Sequence, residues 1–263
     1  MKILDLHVLA ADKVHERYVL LRLTDSSLPL PPMRPGQFVE VRVDGSAATF
    51  LRRPISVCYV DYARNELWLL VAAVGGGTRR LTLLRPGDSL NCVLPLGTGF
   101  SLPLSPGAIP PSALQRPLLV GGGVGVAPLL FLGAALCRGG VEPTFLLGAR
   151  SGADLLLLDE FGRHGRVLTT TEDGSCGERG FVTGHSVLRR ERFDSIMTCG
   201  PTPMMKAVAR YARENGIACE ASLENMMACG LGACLCCVEK TRRGNLCVCK
   251  DGPVFNTADL LWE

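Results

Sequence analysis

Near the C-terminal end four cysteines, Cys229, Cys234, Cys237 and Cys249, follow the spacing C-x4-C-x2-C, with eleven residues before the fourth. Three ligands within nine residues, and a fourth arriving from further along, make the backbone wrap around whatever the thiolates hold. This is the spacing with which a plant-ferredoxin-type [2Fe-2S] cluster is bound. Soft thiolates suit iron and sulfide, and Gly230 and Gly232 allow the positive φ angles that such a tight wrap demands. A disulfide framework is a poorer reading of the 12 cysteines in this 263-residue chain. No secretory signal is read in MKILDLHVLAADK, so a reducing, cytoplasmic setting is expected. Structural zinc is a second reading, but all-cysteine zinc sites usually present two separated C-x2-C pairs. Cys236 and Cys247 lie close enough in sequence to replace a neighbouring ligand, and Cys237 and Cys249 are the expected choices.

With 28 basic and 25 acidic residues and a net charge of +3, the chain shows no electrostatic footprint for nucleic acid. The uncharged run from Leu118 to Cys137 has the hydropathy of a membrane span, yet Gly121, Gly122, Gly123, Gly125 and Pro128 interrupt it. A buried strand, a glycine turn and a helix explain that run, so no membrane segment is expected. Residues 18–23, 37–43, 54–60, 66–74 and 89–96 read as short strands separated by turns, which suggests a closed antiparallel barrel. After a proline-rich linker at 101–117 the pattern alternates. Strands are expected within 116–123, 142–150, 165–173 and 193–200, with helices at 128–138, 153–161 and 203–216, the layout of a parallel, Rossmann-like α/β nucleotide-binding domain. The expected fold is therefore multidomain, β and α/β: a barrel at 1–103, an α/β domain at 116–222 and a small cluster module at 223–263. About 40 residues are too few for an independent core, so the metal is expected to help fold that module.

Each larger domain carries a candidate phosphate site. Arg52-Arg53-Pro54-Ile55-Ser56 ends a loop and starts a strand, where a guanidinium can fork onto a diphosphate oxygen and the serine hydroxyl can reach a ring nitrogen. The same residues also read as a surface arginine pair before an edge-strand proline. Gly75-Gly76-Gly77-Thr78 enters a helix-like stretch whose free N–H groups favour an anion. Gly121-Gly122-Gly123-Val124-Gly125 joins a strand to a helix, where a dinucleotide pyrophosphate sits in open α/β sheets, although the run departs from the G-x-G-x-x-G pattern. His7, His15, His164 and His185 have no metal or triad spacing.

RRPISV, GGGT, GGGVGVAPL and TCGPTPMM, in that order, resemble the ferredoxin-NADP reductase superfamily. SLENMMACGLGACLCCVEKT with CKDGPVF resembles one branch of it, the electron-transfer subunits of NAD-dependent dihydroorotate dehydrogenase. The resemblance implies an FAD-binding barrel in which Arg53, Pro54, Ile55 and Ser56 contact FAD, Leu70, Val71 and Ala72 pass along the flavin, and Gly77 with Thr78 hold its phosphate region. It implies NAD contacts from Gly121, Gly122, Gly123, Gly125, Cys199 and Gly200, and Cys229, Cys234, Cys237 and Cys249 as cluster ligands. Two departures stand out. Val71 and Ala72 occupy places where relatives carry an aromatic and a basic side chain, and CLCC replaces a lone third cysteine.

The implied activity is a relay with no catalytic residue of its own. Electrons pass from the FMN of a catalytic subunit, in a two-plus-two heterotetramer, through the cluster and FAD to NAD, as one step of pyrimidine biosynthesis. Sequence leaves NAD against NADP open, since Arg150 and Ser151 follow the second parallel strand and can meet a 2′-phosphate. Met226 and Met227 beside the cluster are a candidate partner surface. The rival readings are the small subunit of a sulfide dehydrogenase or NADH-dependent ferredoxin reductase, and a thiol-rich redox sensor or zinc-binding regulator.

Overall fold

The computed structural model describes residues 1–46, 49–102 and 114–262. Most of the expected linker falls on 103–113, outside the described residues. The first six strands are β1 (Lys2–His15), β2 (Tyr18–Thr24), β3 (Phe38–Val41), β4 (Arg53–Asp61), β5 (Glu66–Ala72) and β6 (Ser89–Leu96). They close into a barrel in the order β1-β2-β5-β4-β3-β6, and β1 pairs antiparallel with β6 to seal it. Alternation fills the interior. Leu6, Leu21, Leu23, Val57, Leu67, Leu69 and Val71 are all fully buried there, and burying each such side chain contributes roughly 1.5–3 kcal/mol. Strand β1 was not among the sequence expectations, because Asp5 and His7 break the apolar run. They mark the period-two outer face of a strand whose Leu6 and Val8 point inward.

The second sheet runs β10 (Glu178–Arg179), β9 (Arg166–Thr171), β8 (Thr144–Ala149), β7 (Pro117–Gly122), β11 (Ser195–Cys199), β12 (Ala218–Ser222) and β15 (Val254–Asn256). All neighbours pair parallel except β12 with β15. The helices are α2 (Ala127–Arg138), α3 (Leu158–Gly162), α4 (Val187–Arg190) and α5 (Thr202–Glu214), and α1 (Gly76–Leu81) lies in the barrel half. β7 has β8 on one side and β11 on the other, so its carboxyl end is the switch point at which ligands bind in such sheets. The uncharged run from Leu118 to Cys137 is β7, a 3-10 turn at Gly123–Val126 and nearly all of α2. No helix among the described residues is long and apolar enough to cross a membrane.

The helix expected at 153–161 is a correction. Only Leu158–Gly162 is α-helical, preceded by extended Leu155 and by Leu157 with φ 56°. Four consecutive leucines offer no single helical stripe, and the irregular path instead buries Leu156 and sets Phe161 edge-on to Phe145 at 4.9 Å. The C-terminal segment has no separate core, as its length implies, and shares one with both larger domains. After the hairpin β13 (Val238–Thr241) and β14 (Gly244–Cys247), β15 joins the α/β sheet. Cys237, Val248, Cys249, Phe255 and Leu260 pack in one cluster with Phe38 and Leu96 of the barrel and with Met205 of α5. Metal is therefore not the segment's only source of folding energy.

Candidate functional site

A cavity of about 620 Å³ opens where the barrel, the α/β domain and the C-terminal segment meet. Barrel residues Arg53, Pro54, Ile55, Ser56, Leu70, Ala72 and Thr78 line one wall. Val124 and Ala127 of the glycine turn line a second, and Met226, Met227 and Cys236 a third. A space of this size suits a flat ring system with a few polar contacts. Val71 is different, because its side chain lies in the barrel core and leaves only backbone to the cavity side. Gly77 is placed under Arg53, where a Cβ would meet Arg53 Nε at 2.9 Å. That bare backbone lets the guanidinium lie flat, and Arg53 donates to the carbonyls of Leu51 and Arg52. The Thr78 hydroxyl accepts from the N–H groups of Val74 and Gly75, so it holds the glycine turn closed. The arrangement fits FAD: a guanidinium, a hydroxyl from Ser56, an apolar floor at Leu70 and a cradle that a side chain at Gly77 would fill.

The four expected ligand cysteines come together as two pairs. The Cys229 sulfur accepts from the Leu231 N–H at 3.3 Å and also from the backbone and thiol of Cys234. These donors bring its pKa down to about 6, the Leu231 N–H first. Cys237 and Cys249 hydrogen-bond through their sulfurs, the Cys249 N–H points at Cys237 Sγ (3.3 Å), and the Gly232 N–H points at Cys249 Sγ (3.0 Å). Burial, reinforced by Cys237, pushes Cys249 up to about 12. Among the described residues no three His, Cys, Asp or Glu side chains converge on one ion-sized point. Two thiol pairs with N–H groups aimed at their sulfurs suit a group of two irons, each held by one pair. The competing thiols are turned elsewhere. Cys236 is exposed on the cavity wall, and Cys247 donates to the Gly232 carbonyl while its own N–H is held by Asp251. Leu235, immediately before Cys236 and Cys237, has φ 59°.

Beneath this loop lies Glu40 of β3. It is 1% exposed, and neither carboxyl oxygen has a hydrogen-bond partner. Gly230, at φ 68°, leaves it room, since a Cβ there would meet Glu40 Cγ at 2.8 Å. Burial raises the Glu40 pKa from 4.5 to about 7, against the opposing pull of Arg52. A carboxyl whose folded-state pKa is raised costs stability as pH climbs from its unfolded value toward its folded one, and the loss levels off above that. The Glu40→Gln protein is expected to match wild type near pH 4.5 and to gain on it up to pH 8. At roughly 1.4 kcal/mol per pKa unit the gap reaches about 3 kcal/mol, and denaturant titrations of the loaded protein from pH 5 to 9 measure it. Parallel curves across that range would remove Glu40 as the cause.

A second cavity of about 560 Å³ lies at the carboxyl end of β7. Gly122, Gly123, Gly148, Arg150, Asp154, Glu172, Phe181, Pro201 and Met204 line it, together with Arg17 and Tyr18 from the barrel. Of the expected nicotinamide residues only Gly122 and Gly123 face it directly. Gly121 packs against Leu129, and Gly125 sits against Gly200, whose own Cβ would strike the Gly122 carbonyl oxygen at 2.8 Å. Cys199 is buried in the core, and burial holds its pKa well above the thiol range. These four shape the turn rather than line the cavity. Cys199 has no route to a ligand, because its side chain belongs to the core under the sheet. Sequence reasoning missed Arg17 and Tyr18, which no local pattern marks, and it did not foresee that Val124, Ala127, Met226 and Met227 line the first cavity. Gly123 lines this cavity and its neighbour Val124 lines the first, so the Gly123–Val126 turn stands between the two.

Comparison with known proteins adds three findings. Residues 224–261 match the iron-sulfur cluster binding domain of dihydroorotate dehydrogenase B, and residues 119–210 match an oxidoreductase NAD-binding domain. The chain is 40% identical over 233 residues to the electron transfer subunit of dihydroorotate dehydrogenase B (NAD(+)) from Shouchella clausii, covering 87% of this chain and 86% of that one. It is 38% identical to the Bacillus caldolyticus protein of the same description, with 91% of each covered. Among solved structures, one of an NADH-dependent reduced ferredoxin-NADP oxidoreductase, described for flavin-based electron bifurcation, superposes with a TM-score of 0.84. It is 31% identical, with 98% of this chain and 90% of that one covered. A ferredoxin NADP+ reductase from Neisseria gonorrhoeae with bound FAD and NADP, at 16% identity and TM-score 0.64 over 82% of this chain and 92% of that one, shares the fold.

Proposed function

This chain belongs to the family of dihydroorotate dehydrogenase B electron-transfer subunits, and on that footing we propose that it carries electrons from a catalytic partner subunit to NAD through a [2Fe-2S] cluster and FAD. Together these groups convert between the paired electrons of a nicotinamide and the single electrons of an iron-sulfur centre. The chain's own residues position them. Cys229 with Cys234, and Cys237 with Cys249, hold the cluster, and the N–H groups of Leu231, Gly232 and Cys249 steady its sulfurs. Arg53, Ser56, Leu70 and Ala72 seat the flavin, with Gly77 keeping Arg53 flat. Gly122 and Gly123 let the dinucleotide phosphates approach the backbone, and Leu51, Val74 and Met226 limit water at the mouth of the flavin cavity. No side chain of this chain is asked to act as acid or base.

One observation carries this reading. The flavin-sized cavity has Cys236, next in sequence to the ligand Cys237, on one wall and the Val124–Ala127 end of the dinucleotide turn on another. A flavin held there would stand between the cluster ligands and the dinucleotide turn. The partner is proposed to be an FMN-containing dihydroorotate dehydrogenase catalytic subunit, in a two-plus-two heterotetramer that serves pyrimidine biosynthesis. Exposed Phe50, Leu51, Met226, Leu231 and Leu235, at 92, 51, 85, 49 and 64% accessibility, offer it an apolar surface near the cluster. Oxygen-free co-purification with that subunit, followed by an assay for dihydroorotate-dependent NADH formation, tests the proposal. The 31% identity to the ferredoxin-linked oxidoreductase supports a second reading with a different partner. Turnover with ferredoxin and none with dihydroorotate would select it.

A further inference from the structure

The cavity at the end of β7 belongs to the α/β domain on every side but one. On that side the tight turn between β1 and β2 brings in Arg17 and Tyr18. The turn is rigidly built: the Arg17 N–H donates to His15 Nδ1 at 3.1 Å, and His15 Nε2 faces Asp154 at 3.5 Å. The Ala73 N–H donates to the Arg17 carbonyl, which extends the β2–β5 pairing and aims this corner at the cavity. The chain leaving β5, Ala72-Ala73-Val74, brings no charged side chain, so the cation that the barrel gives this cavity is Arg17, while Arg150 comes from the α/β domain. Its guanidinium lies 5.9 Å from the Tyr18 ring centre and 3.6 Å from Asp154, and its side chain is 60% exposed. The Tyr18 hydroxyl in turn stands 3.8 Å from where a Cβ of Gly123 would be, and Gly123 is the positive-φ residue of the phosphate turn. Asp154 is also bound by the Ser151 hydroxyl at 2.8 Å, so it is a fixed anchor rather than a free acid.

We propose that Arg17, delivered by the barrel, is a diphosphate-binding residue of the nicotinamide dinucleotide site, with Asp154 and His15 holding it in position. The assignment rests on the reading of this cavity as the NAD site. A loose pairing at 3.6 Å on an exposed arginine leaves the guanidinium donors open to a ligand that carries two charges. Binding then also clamps the two large domains together, because the anchor and the arginine come from different ones.

Calorimetric titration of the full-length, cofactor-loaded protein with ADP-ribose, which carries the diphosphate without the nicotinamide, tests this. Arg17→Ala is expected to weaken ADP-ribose and NADH binding by about tenfold or more while flavin and iron content stay unchanged, and Arg17→Lys to restore part of the loss. Wild-type affinity should fall more steeply with added salt than that of Arg17→Ala. Asp154→Asn, which loosens the arginine's support but keeps its charge, should weaken binding less than Arg17→Ala does. An Arg17→Ala protein that binds ADP-ribose as wild type does overturns the assignment. So does an Asp154→Asn protein that loses as much as Arg17→Ala, since that pattern describes a domain latch alone. Wild-type protein that binds no NADH sinks the functional reading itself, a result distinct from either.

Discussion

Cys249→Ser protein, purified without oxygen, is expected to contain flavin but almost no iron or labile sulfide, and to pass no electrons to a cluster-dependent acceptor. The same is expected of Cys229→Ser, Cys234→Ser and Cys237→Ser. A hydroxyl is a hard, weakly acidic ligand that replaces a thiolate poorly at a sulfide-bridged iron. The informative contrast is with the neighbouring thiols. Cys236→Ser and Cys247→Ser should keep full iron and sulfide, because Cys236 faces the flavin cavity and Cys247 is spent on the Gly232 carbonyl. Cys236→Ser should alter the flavin absorbance, since it changes a wall of that cavity. Iron analysis and visible spectra of all six variants decide the point. A cluster that survives Cys249→Ser and disappears in Cys247→Ser would exchange the two assignments. Folding should fail only locally in the ligand variants, as β15 and the shared core around Phe255 and Leu260 tie the segment to both large domains.

The second large effect is expected at Gly125. A Cβ there would stand 2.4 Å from Gly200 Cα and 2.5 Å from Gly200 N, and backbone cannot rotate away as a side chain can. Gly125→Ala must therefore push the phosphate turn off β11, which closes the approach that Gly122 and Gly123 keep open. NADH affinity is expected to fall more than tenfold, and stability by about 1–3 kcal/mol from overpacking. FAD content should persist, because the flavin wall draws mainly on the barrel. Gly162→Ala is the matched control. It closes α3 with nothing within 4 Å of the added carbon, and should be neutral or slightly stabilising. Equilibrium NADH titration and thermal melts compare the two. Unchanged NADH binding in Gly125→Ala would separate this glycine from the dinucleotide site.

Much of this protein was legible in its residues. Short β-rich runs between turns, such as QFVEVRV and ELWLLVAAV, announced strands, the glycine-broken apolar run announced a strand–turn–helix, and the four-cysteine spacing announced the cluster. Strand β1 escaped because Asp5 and His7 look like interruptions until β2 and β6 show which face is outside. The helix expected at 153–161 failed because leucines in a row satisfy helix propensity without saying which of them must be buried. The nicotinamide residues separated for a related reason. Glycines recognised by pattern divide into Gly122 and Gly123, which face the cavity, Gly125 and Gly200, which let backbones touch, and Gly121, which leaves room for the Leu129 side chain.

Local chemistry marked the candidate sites, with thiolate spacing suited to two irons, an arginine and serine on one strand suited to a diphosphate and a ring nitrogen, and a bare glycine turn suited to phosphates; the family resemblance made the second of these a flavin site. Tertiary structure decided how they cooperate. It placed Cys236 on the flavin wall, sank Glu40 under the cluster loop and carried Arg17 from a barrel hairpin to the dinucleotide cavity. Ligand spacing is a property of a few adjacent residues, whereas a shared wall depends on strands closed over long sequence separations, and those contacts leave no mark in any short stretch of chain.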